Sequence, residues 1–508
     1  MTKAPERRRK KVWPIAMVVV IMLFVGIDAG ADDGEEVSAV EGQQSTDRGG
    51  FDGVRDDRNE PALEAAINAI LMDSEMGRTT VGIHVEDVSS GRVLYSREAD
   101  RPMNPASNIK LLTAAAVLDL LGPEHTMSTT LYTDRRSDTT IQNLYLRGEG
   151  EAFLLFKDVL SWAGELRMQG ITAIEGDLVV DDALFEGAYM PPGFDLRPSD
   201  AAWRPDIGAV SVNFNAVTAT ISPGDTIGAA PTVRLDPPQN HVRVVNRART
   251  VRGSLSRLSV TAEPQGSRTQ ITVTGTLGVN ARSVSQRRRI DNPPAFAGAV
   301  MAEAMNMMGI EFDGEVRAGK TPQERERLYV HNSQPLMNAI SAMNKWSNNF
   351  IAEQLLRLLG VVDEEPSTWD LARSRATESL RKNGMSQGAF TLHNGSGLYD
   401  GNLVSPRQFV SLLRRMRHHE YGPEFISSLA IAGVDGTLRH RLDRGLTNRN
   451  LRGKTGTLRD VSALSGYVET KSGRMVAFSI LFNDPPRAAW NYREQQDAIA
   501  RAIAEFDG

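Results

Sequence analysis

The sequence predicts an α+β protein in which a domain of helices and strands is interrupted by a long β-rich insertion. Three observations carry that reading. A helix opening at Ser107 is apolar almost all round through Leu120, so it must be buried. From 131 to 325 the texture changes to alternating runs among Gly/Pro turns. The chain then returns to helical periodicity and closes on a strand, a hairpin and a last helix. With 508 residues, 41% of them hydrophobic and 24% charged, it can bury a large core over about three domains.

The amino terminus stands apart. Five basic residues, Arg7 to Lys11, precede an apolar stretch at 13–27, and Ala29-Gly30-Ala31 follows with small residues at cleavage spacing. Residues 1–31 therefore read as a secretory signal. The apolar stretch, about 15 residues, is shorter than the roughly 20 a spanning helix needs, so removal is expected, with retention as an anchor the alternative. Removal shifts the net charge from −5 to about −9, and that acidic balance argues against nucleic acid as a partner. The absence of cysteine excludes disulfides, thiolate metal sites and a cysteine nucleophile. No metal or cofactor is called for. Residues 32–60, acidic and rich in Gly, Ser and Gln, read as a flexible linker.

The folded part begins near Pro61, where Leu63, Ile67, Ile70 and Leu71 fall at helical spacing. A strand at 81–85, a turn at Ser89-Ser90-Gly91 and a return strand at 92–95 come next. The buried helix runs from Ser107 to a stop at Gly122-Pro123. Within the insertion, strands are expected at 210–221, 242–245 and 269–277, with little helix before 295–308. Helices follow at 336–359, 368–382 and 405–417. Strands at 451–457, 463–470 and 475–482, the last two joined by Lys471-Ser472-Gly473, lead to a helix at 490–506. The catalytic domain thus spans 61–130 and 326–508, and the insertion 131–325.

Chemistry concentrates in three short motifs outside the insertion: Ser107-Asn108-Ile109-Lys110, Ser347-Asn348-Asn349 and Lys454-Thr455-Gly456. A serine and a lysine three apart on a helix share a face, so the lysine can take the hydroxyl proton without a histidine. Ser107 also opens its helix, where the dipole favours a developing alkoxide. The first two motifs each have a decoy, whereas Lys-Thr-Gly occurs once. Ser379-Leu380-Arg381-Lys382 repeats the spacing, but among Arg373, Arg375 and Glu378 it reads as a solvated helix face. Ser211-Val212-Asn213 lies in an expected strand, where a structural role is the simpler reading. The chain has ten lysines against 48 arginines, and two of the ten fall inside ordered motifs. Lys454 alone could be an edge-strand charge that discourages aggregation; in order behind two matching motifs it reads as functional. The whole predicts a serine acyl-transfer enzyme.

The same motif set marks serine β-lactamases and penicillin-binding proteins, and the match widens around it. Gly82 to Asp87, Gly91 to Tyr95, Asn104 to Thr113, Ile174 to Asp177, Asn394 to Leu398, Ala432 to Leu438 and Gly453 to Thr457 resemble the low-molecular-mass class C penicillin-binding proteins, the D-alanyl-D-alanine carboxypeptidase/endopeptidase family. The resemblance covers roughly 60–506. It implies a β-lactamase-like domain with a five-stranded antiparallel sheet, and two smaller β-rich domains, II and III, inserted between the first and second motifs. It implies peptidoglycan stem peptides as substrates, by removal of terminal D-Ala or cleavage of D-Ala cross-links, and β-lactams as covalent inhibitors. Carried over, Ser107 is the nucleophile and Lys110 its base. Ser347 relays a proton to the leaving amine, held by Asn349 and the lysines. Lys454 and Thr455 bind the terminal carboxylate beside Gly456, and the N–H groups of Ser107 and Thr457 form the oxyanion hole.

One stretch departs from the family. Its usual Asp-Gly-Ser-Gly-Leu-Ser-Arg is here Asn394 to Leu398 followed by Tyr399 and Asp400, and Asp400 would repel a substrate carboxylate that Arg would attract. Asp200 and Trp203 in the insertion are candidates to contact the donor side chain instead. The arginine-rich runs at 247–257 and 287–289 read as a solvated face, with anionic wall polymers as the sharper alternative. Competing functions are an S-x-x-K β-lactamase or esterase, and a non-catalytic wall-binding protein on the same scaffold. An esterase would carry Tyr-x-Asn at the second motif, a β-lactamase would rarely need so long an insertion, and intact motifs weigh against the non-catalytic reading.

Overall fold

The computed structural model describes residues 59–72, 76–363 and 365–508; the expected signal at 1–31 and the linker up to 58 lie outside them. Helix α1 (Pro61–Leu71) forms where its apolar spacing asks for it and buries Leu63, Ile67 and Leu71. Helix α2 (Lys110–Leu121) follows a 3-10 turn, Ala106–Ile109, that contains Ser107. Every α2 residue from Lys110 to Leu118 is buried, as a helix apolar all round must be. It ends at Gly122, whose N–H closes on the Leu118 carbonyl.

One six-stranded antiparallel sheet anchors this part. Its order is Val93–Arg97, Thr80–Asp87, Met475–Asn483, Val461–Glu469, Arg452–Thr457 and Ala430–Ile431. Five are the expected strands, and the two-residue sixth extends the Lys454 edge. The central strands are buried on both faces, so they read as nearly continuous apolar runs rather than alternating ones. One face, through Ala463, Tyr467, Ala477 and Leu481, shares a core with α2. The other, through Leu464, Val468, Phe478 and Ile480, packs on α1 and the C-terminal helix Arg493–Ala504.

The insertion has a hydrophobic core of its own, which joins Leu131, Leu146, Trp162, Val217, Ile271 and Phe296. The chain enters it along Ser128–Thr133 and returns along Glu326–Asn332, and these two strands pair antiparallel. Helix α4 (Pro293–Met307) matches the expected one. Helix α3 (Phe156–Met168) does not match the expectation of little helix there, although Val159, Trp162, Ala163 and Leu166 bury a regular i, i+3, i+4, i+7 stripe. The strand expected over 210–221 begins only at Ala216, because Asn213, Phe214 and Asn215 turn through positive φ. Ser211 therefore sits in a loop rather than a strand. It is buried and bonds Gly208 and Asn215, so its role is structural all the same.

The helix expected over 336–359 is two. Helix α5 (Leu336–Trp346) ends at Ser347 in the left-handed region, and α6 (Asn349–Leu358) restarts with the Asn348 side chain accepting from the Ile351 N–H. The break presents Ser347 at a corner and Asn349 at a helix start. Helices α7 (Trp369–Lys382) and α8 (Pro406–Arg417) follow, capped by the Thr368 and Ser405 side chains. Ser379 on α7 is buried at 1% exposure and donates to Asp119 at 2.6 Å, which corrects the solvated-face reading. It has no lysine beside it, because Lys382 pairs with Glu378 at the surface.

Two glycines let separate segments close on the Ser107 turn. A Cβ on Gly397, at φ +76, would lie 1.9 Å from the Ala106 carbonyl, and one on Gly456 would lie 2.7 Å from the Pro105 carbonyl. Gly397→Ala is expected to cost about 2 kcal/mol or more through strain and overlap. Gly388→Ala, at similar φ but in open space, should cost less. Thermal or denaturant unfolding of the two variants compares them directly.

Candidate active site

Lys110 is the centre of the site. It is fully buried, and its Nζ lies 3.1 Å from Ser107 Oγ, 2.8 Å from Asn349 Oδ1 and 2.6 Å from the Ser396 carbonyl. These acceptors come from three distant segments: the Ser107 turn, the start of α6 and the loop 394–398. Burial pushes Lys110 down to about 7, against the upward pull of the Glu353 carboxylate. Near neutrality such an amine can hold or release a proton.

A second lysine completes the pocket. Lys454, also fully buried, donates to Ser347 Oγ at 3.0 Å and to the Thr455 carbonyl at 2.7 Å. The sequence reading gave Ser347 to Asn349 and both lysines. The structure gives its hydroxyl to Lys454, while Asn349 serves Lys110 and donates to the Trp203 carbonyl at 2.8 Å. Lys454 does not keep the usual lysine affinity for its proton. Burial, then repulsion from Lys110, pushes it well below the ordinary value. For Lys110 it is burial, not a like-charged neighbour, that leads.

The backbone around the serine is pinned. Asn108 donates to Ser465 Oγ at 2.7 Å, and Ser465 to Ser479 at 2.9 Å, which ties the turn to the sheet. Ala106, just ahead of Ser107, has φ 45, a costly conformation for a residue with a Cβ. The strand Ala430–Ile431 pairs only with Arg452 and Gly453, so the Lys454–Thr457 edge stays open. Leu458 N–H donates to Val461, and ladder alternation turns the Thr457 N–H away from the neighbouring strand. That orientation suits the oxyanion-hole role. Thr455 Oγ1 meets Thr437 Oγ1 at 2.8 Å.

The insertion candidates part company. Trp203, half exposed, stands edge-on to Tyr399 with ring centroids 6.2 Å apart, and its carbonyl holds Asn349. Asp200 is not brought to the site. Its carboxylate accepts from the Ala262 N–H at 2.8 Å and lies 3.2 Å from Arg288 Nε. Asp400 is not an isolated negative charge either: Arg197 from the insertion lies 3.6 Å away and also covers the Tyr399 ring.

Glu353 is the residue the sequence reading missed. It sits one turn after Asn349 on α6, fully buried, and accepts the N–H groups of Gly395 at 2.9 Å and Ser396 at 2.8 Å. It thereby fixes the loop whose carbonyl holds Lys110. Burial pushes Glu353 upward, opposed by these donors and by Lys110. The signal was present: a lone carboxylate in an apolar helix, four residues from Asn349 and so on the same face.

A serine with a buried lysine partner, a second serine–lysine pair and an open strand edge define a serine acyl-transfer enzyme. Residues 63–506 match the D-Ala-D-Ala carboxypeptidase 3 (S13) family, and the chain belongs to that family. It is 33% identical over 463 residues to a D-alanyl-D-alanine carboxypeptidase of Actinomadura sp. (strain R39), covering 88% of this chain and 85% of that one. In fold it is similar to the crystal structure of penicillin binding protein 4 (dacB) from Haemophilus influenzae, with TM-score 0.75, 24% identity and coverage of 86% and 97%. A second structure of that protein, complexed with a β-lactam, gives TM-score 0.71 at 23% identity, with coverage of 87% and 99%.

Two titrations follow from the geometry. Lys110, followed by lysine-selective NMR, should titrate near 7. In Glu353→Gln the upward pull is gone, so its midpoint should fall. A Lys110 midpoint near the ordinary 10.4 would contradict the burial argument.

Proposed function

We propose that this chain is a serine DD-peptidase of the bacterial cell wall, removing terminal D-Ala from peptidoglycan stem peptides through an acyl-enzyme on Ser107. The observation that carries it is the bridge from Lys110 Nζ to Ser107 Oγ, Asn349 and the Ser396 carbonyl, with Lys454 on Ser347 beside it. Neutral Lys110 takes the Ser107 proton as Oγ bonds to the scissile carbonyl carbon. The oxyanion forms between the N–H groups of Ser107 and Thr457, where loss of one donor typically costs about 10²–10³ in rate. Ser347, bonded to Lys454, delivers a proton to the leaving amine as the C–N bond breaks. Water then attacks the ester, and Ser107 regains its proton.

Lys454 and Thr455 receive the terminal carboxylate. A carboxylate entering beside Lys454 would supply a counter-charge, so binding favours the protonated lysine. Trp203 and Tyr399 form an aromatic shelf beside Asn349, and the Arg197–Asp400 pair at its edge supports a role in reading the donor side chain. Action on D-Ala cross-links uses the same chemistry with a larger leaving group. β-Lactams acylate the same serine. The basic, apolar and small-residue order of 1–31 supports export, with the enzyme at work in the cell envelope; among the described residues no helix is long and apolar enough to cross a membrane.

Fluorescent penicillin should label the purified protein, with peptide mapping locating the adduct at Ser107; label on Ser379, or none, would refute the assignment. Lys110→Ala should lose acylation by every substrate, uncharged esters included. Lys454→Met should instead hit substrates with a free terminal carboxylate hardest. Acylation rates across both substrate types separate the two roles, and near-normal acylation in Lys110→Ala would exclude it as the base.

A further inference from the structure

The two arginine-rich runs meet opposite fates in the fold. Arg287, Arg288 and Arg289 are taken up by protein partners: Arg287 by the Asn213 carbonyl, Arg288 by the Val260 carbonyl and Arg289 by Asp206 and Asp291. The other run lies on a four-stranded sheet built on Arg268–Gly278, with Val242–Asn246, Arg249–Val251 and Ser256–Gln265 as partners. One face of that sheet buries Val260, Ile271, Val273 and Leu277 in the insertion core.

Register defines the other face. Thr276 pairs with Arg249 on one side and Arg257 on the other, and Gln270 pairs with Arg243. Registered partners point the same way, so Arg243, Arg249, Arg257 and Arg268 share the outward face with Thr272, Thr274 and Thr276. All four arginines are exposed. Among the described residues, none of their side chains has a hydrogen-bond or ion-pair partner. The Arg243 and Arg249 rows are six residues apart along the central strand, about 20 Å.

Charge is segregated here. Between Thr232 and Arg289 there are eleven arginines and no lysine against two acidic residues, Asp236 and Glu263, in a chain of net −5. A solvated face normally mixes both signs in balance; this one sets four arginines against one carboxylate, Glu263, which shares the Gln270 row with Arg243, and such a predominantly positive field marks attraction of an opposite charge. Arginine's planar fork suits carboxylate and phosphate. The hydroxyls between the rows suit sugar hydroxyls, and a pleated face about 20 Å long suits an extended chain.

We propose that this sheet face is a docking surface for a linear anionic glycopolymer of the cell wall, which holds the enzyme on its substrate while leaving the chemistry untouched. The proposal rests on the reading of the chain as a wall enzyme, but its test does not. Full-length protein and the variant R243Q/R249Q/R257Q/R268Q are compared for retention on immobilised polygalacturonate, a linear carboxylated polysaccharide, over a salt series, with neutral dextran as control. The native protein should be retained in a salt-sensitive way, and the variant should bind roughly tenfold or more weakly. Both should acylate fluorescent penicillin at the same rate, which confirms folding and separates this surface from Ser107. Equal retention of variant and native protein, or no retention of either, would overturn the proposal. So would four-arginine-dependent binding to vesicles containing anionic phosphatidylglycerol without binding to polygalacturonate, since the occupant would then be a membrane.

Discussion

A buried lysine without a full counter-ion is the constraint on which the rest of the catalytic domain is arranged. An ammonium taken out of water costs several kcal/mol unless acceptors surround it. Lys110 finds acceptors on three segments far apart in the chain. Each must be held at hydrogen-bond distance, and the supporting structure reads as the means of doing so: the Asn108–Ser465 tie, the Glu353 clamp on the 395–396 amides, and the caps that break α5 from α6. The result is an amine whose affinity for its proton is set by burial more than by any single neighbour.

The second lysine follows the same logic from another side. Lys454 stands on a strand whose outer edge is left unpaired, and burial and the neighbouring Lys110 both disfavour its charge. An unpaired strand edge is ordinarily a liability. Here the edge is short, flanked by the Ser107 turn and by the 430–438 segment, and suited to an extended peptide. The same open backbone that would invite aggregation elsewhere is what the proposed reading uses for recognition.

Much of this was legible in the sequence, and the misses have physical causes. The three motifs, the buried helix and the closing hairpin announced themselves through spacing and apolar pattern, which are local. The break at Ser347 was hidden because Asn348 caps a helix with the same apolar period as the one before it. Ser379 looked solvated because of the charged residues around it in sequence, but its own hydroxyl turns in to Asp119. Asp200 looked available because sequence cannot tell that Arg288 and the Ala262 amide meet it. Glu353 was overlooked although its spacing from Asn349 was readable, because its partners are backbone amides from a loop some forty residues away.

The sheet register has a consequence for biogenesis. Ile83 pairs with Ile480, so the strand made among the first must wait for one made among the last. Such non-local pairing makes folding slow. The insertion, by contrast, draws its core from one contiguous stretch of chain and can settle as soon as that stretch has emerged. During synthesis the chain therefore passes through a stage with a finished insertion and the six-stranded sheet still open, its apolar α2 uncovered. A chain cut short before Asn483 would remain at that stage, a natural target for chaperones and proteases, and without the sheet that braces the Ser107 turn.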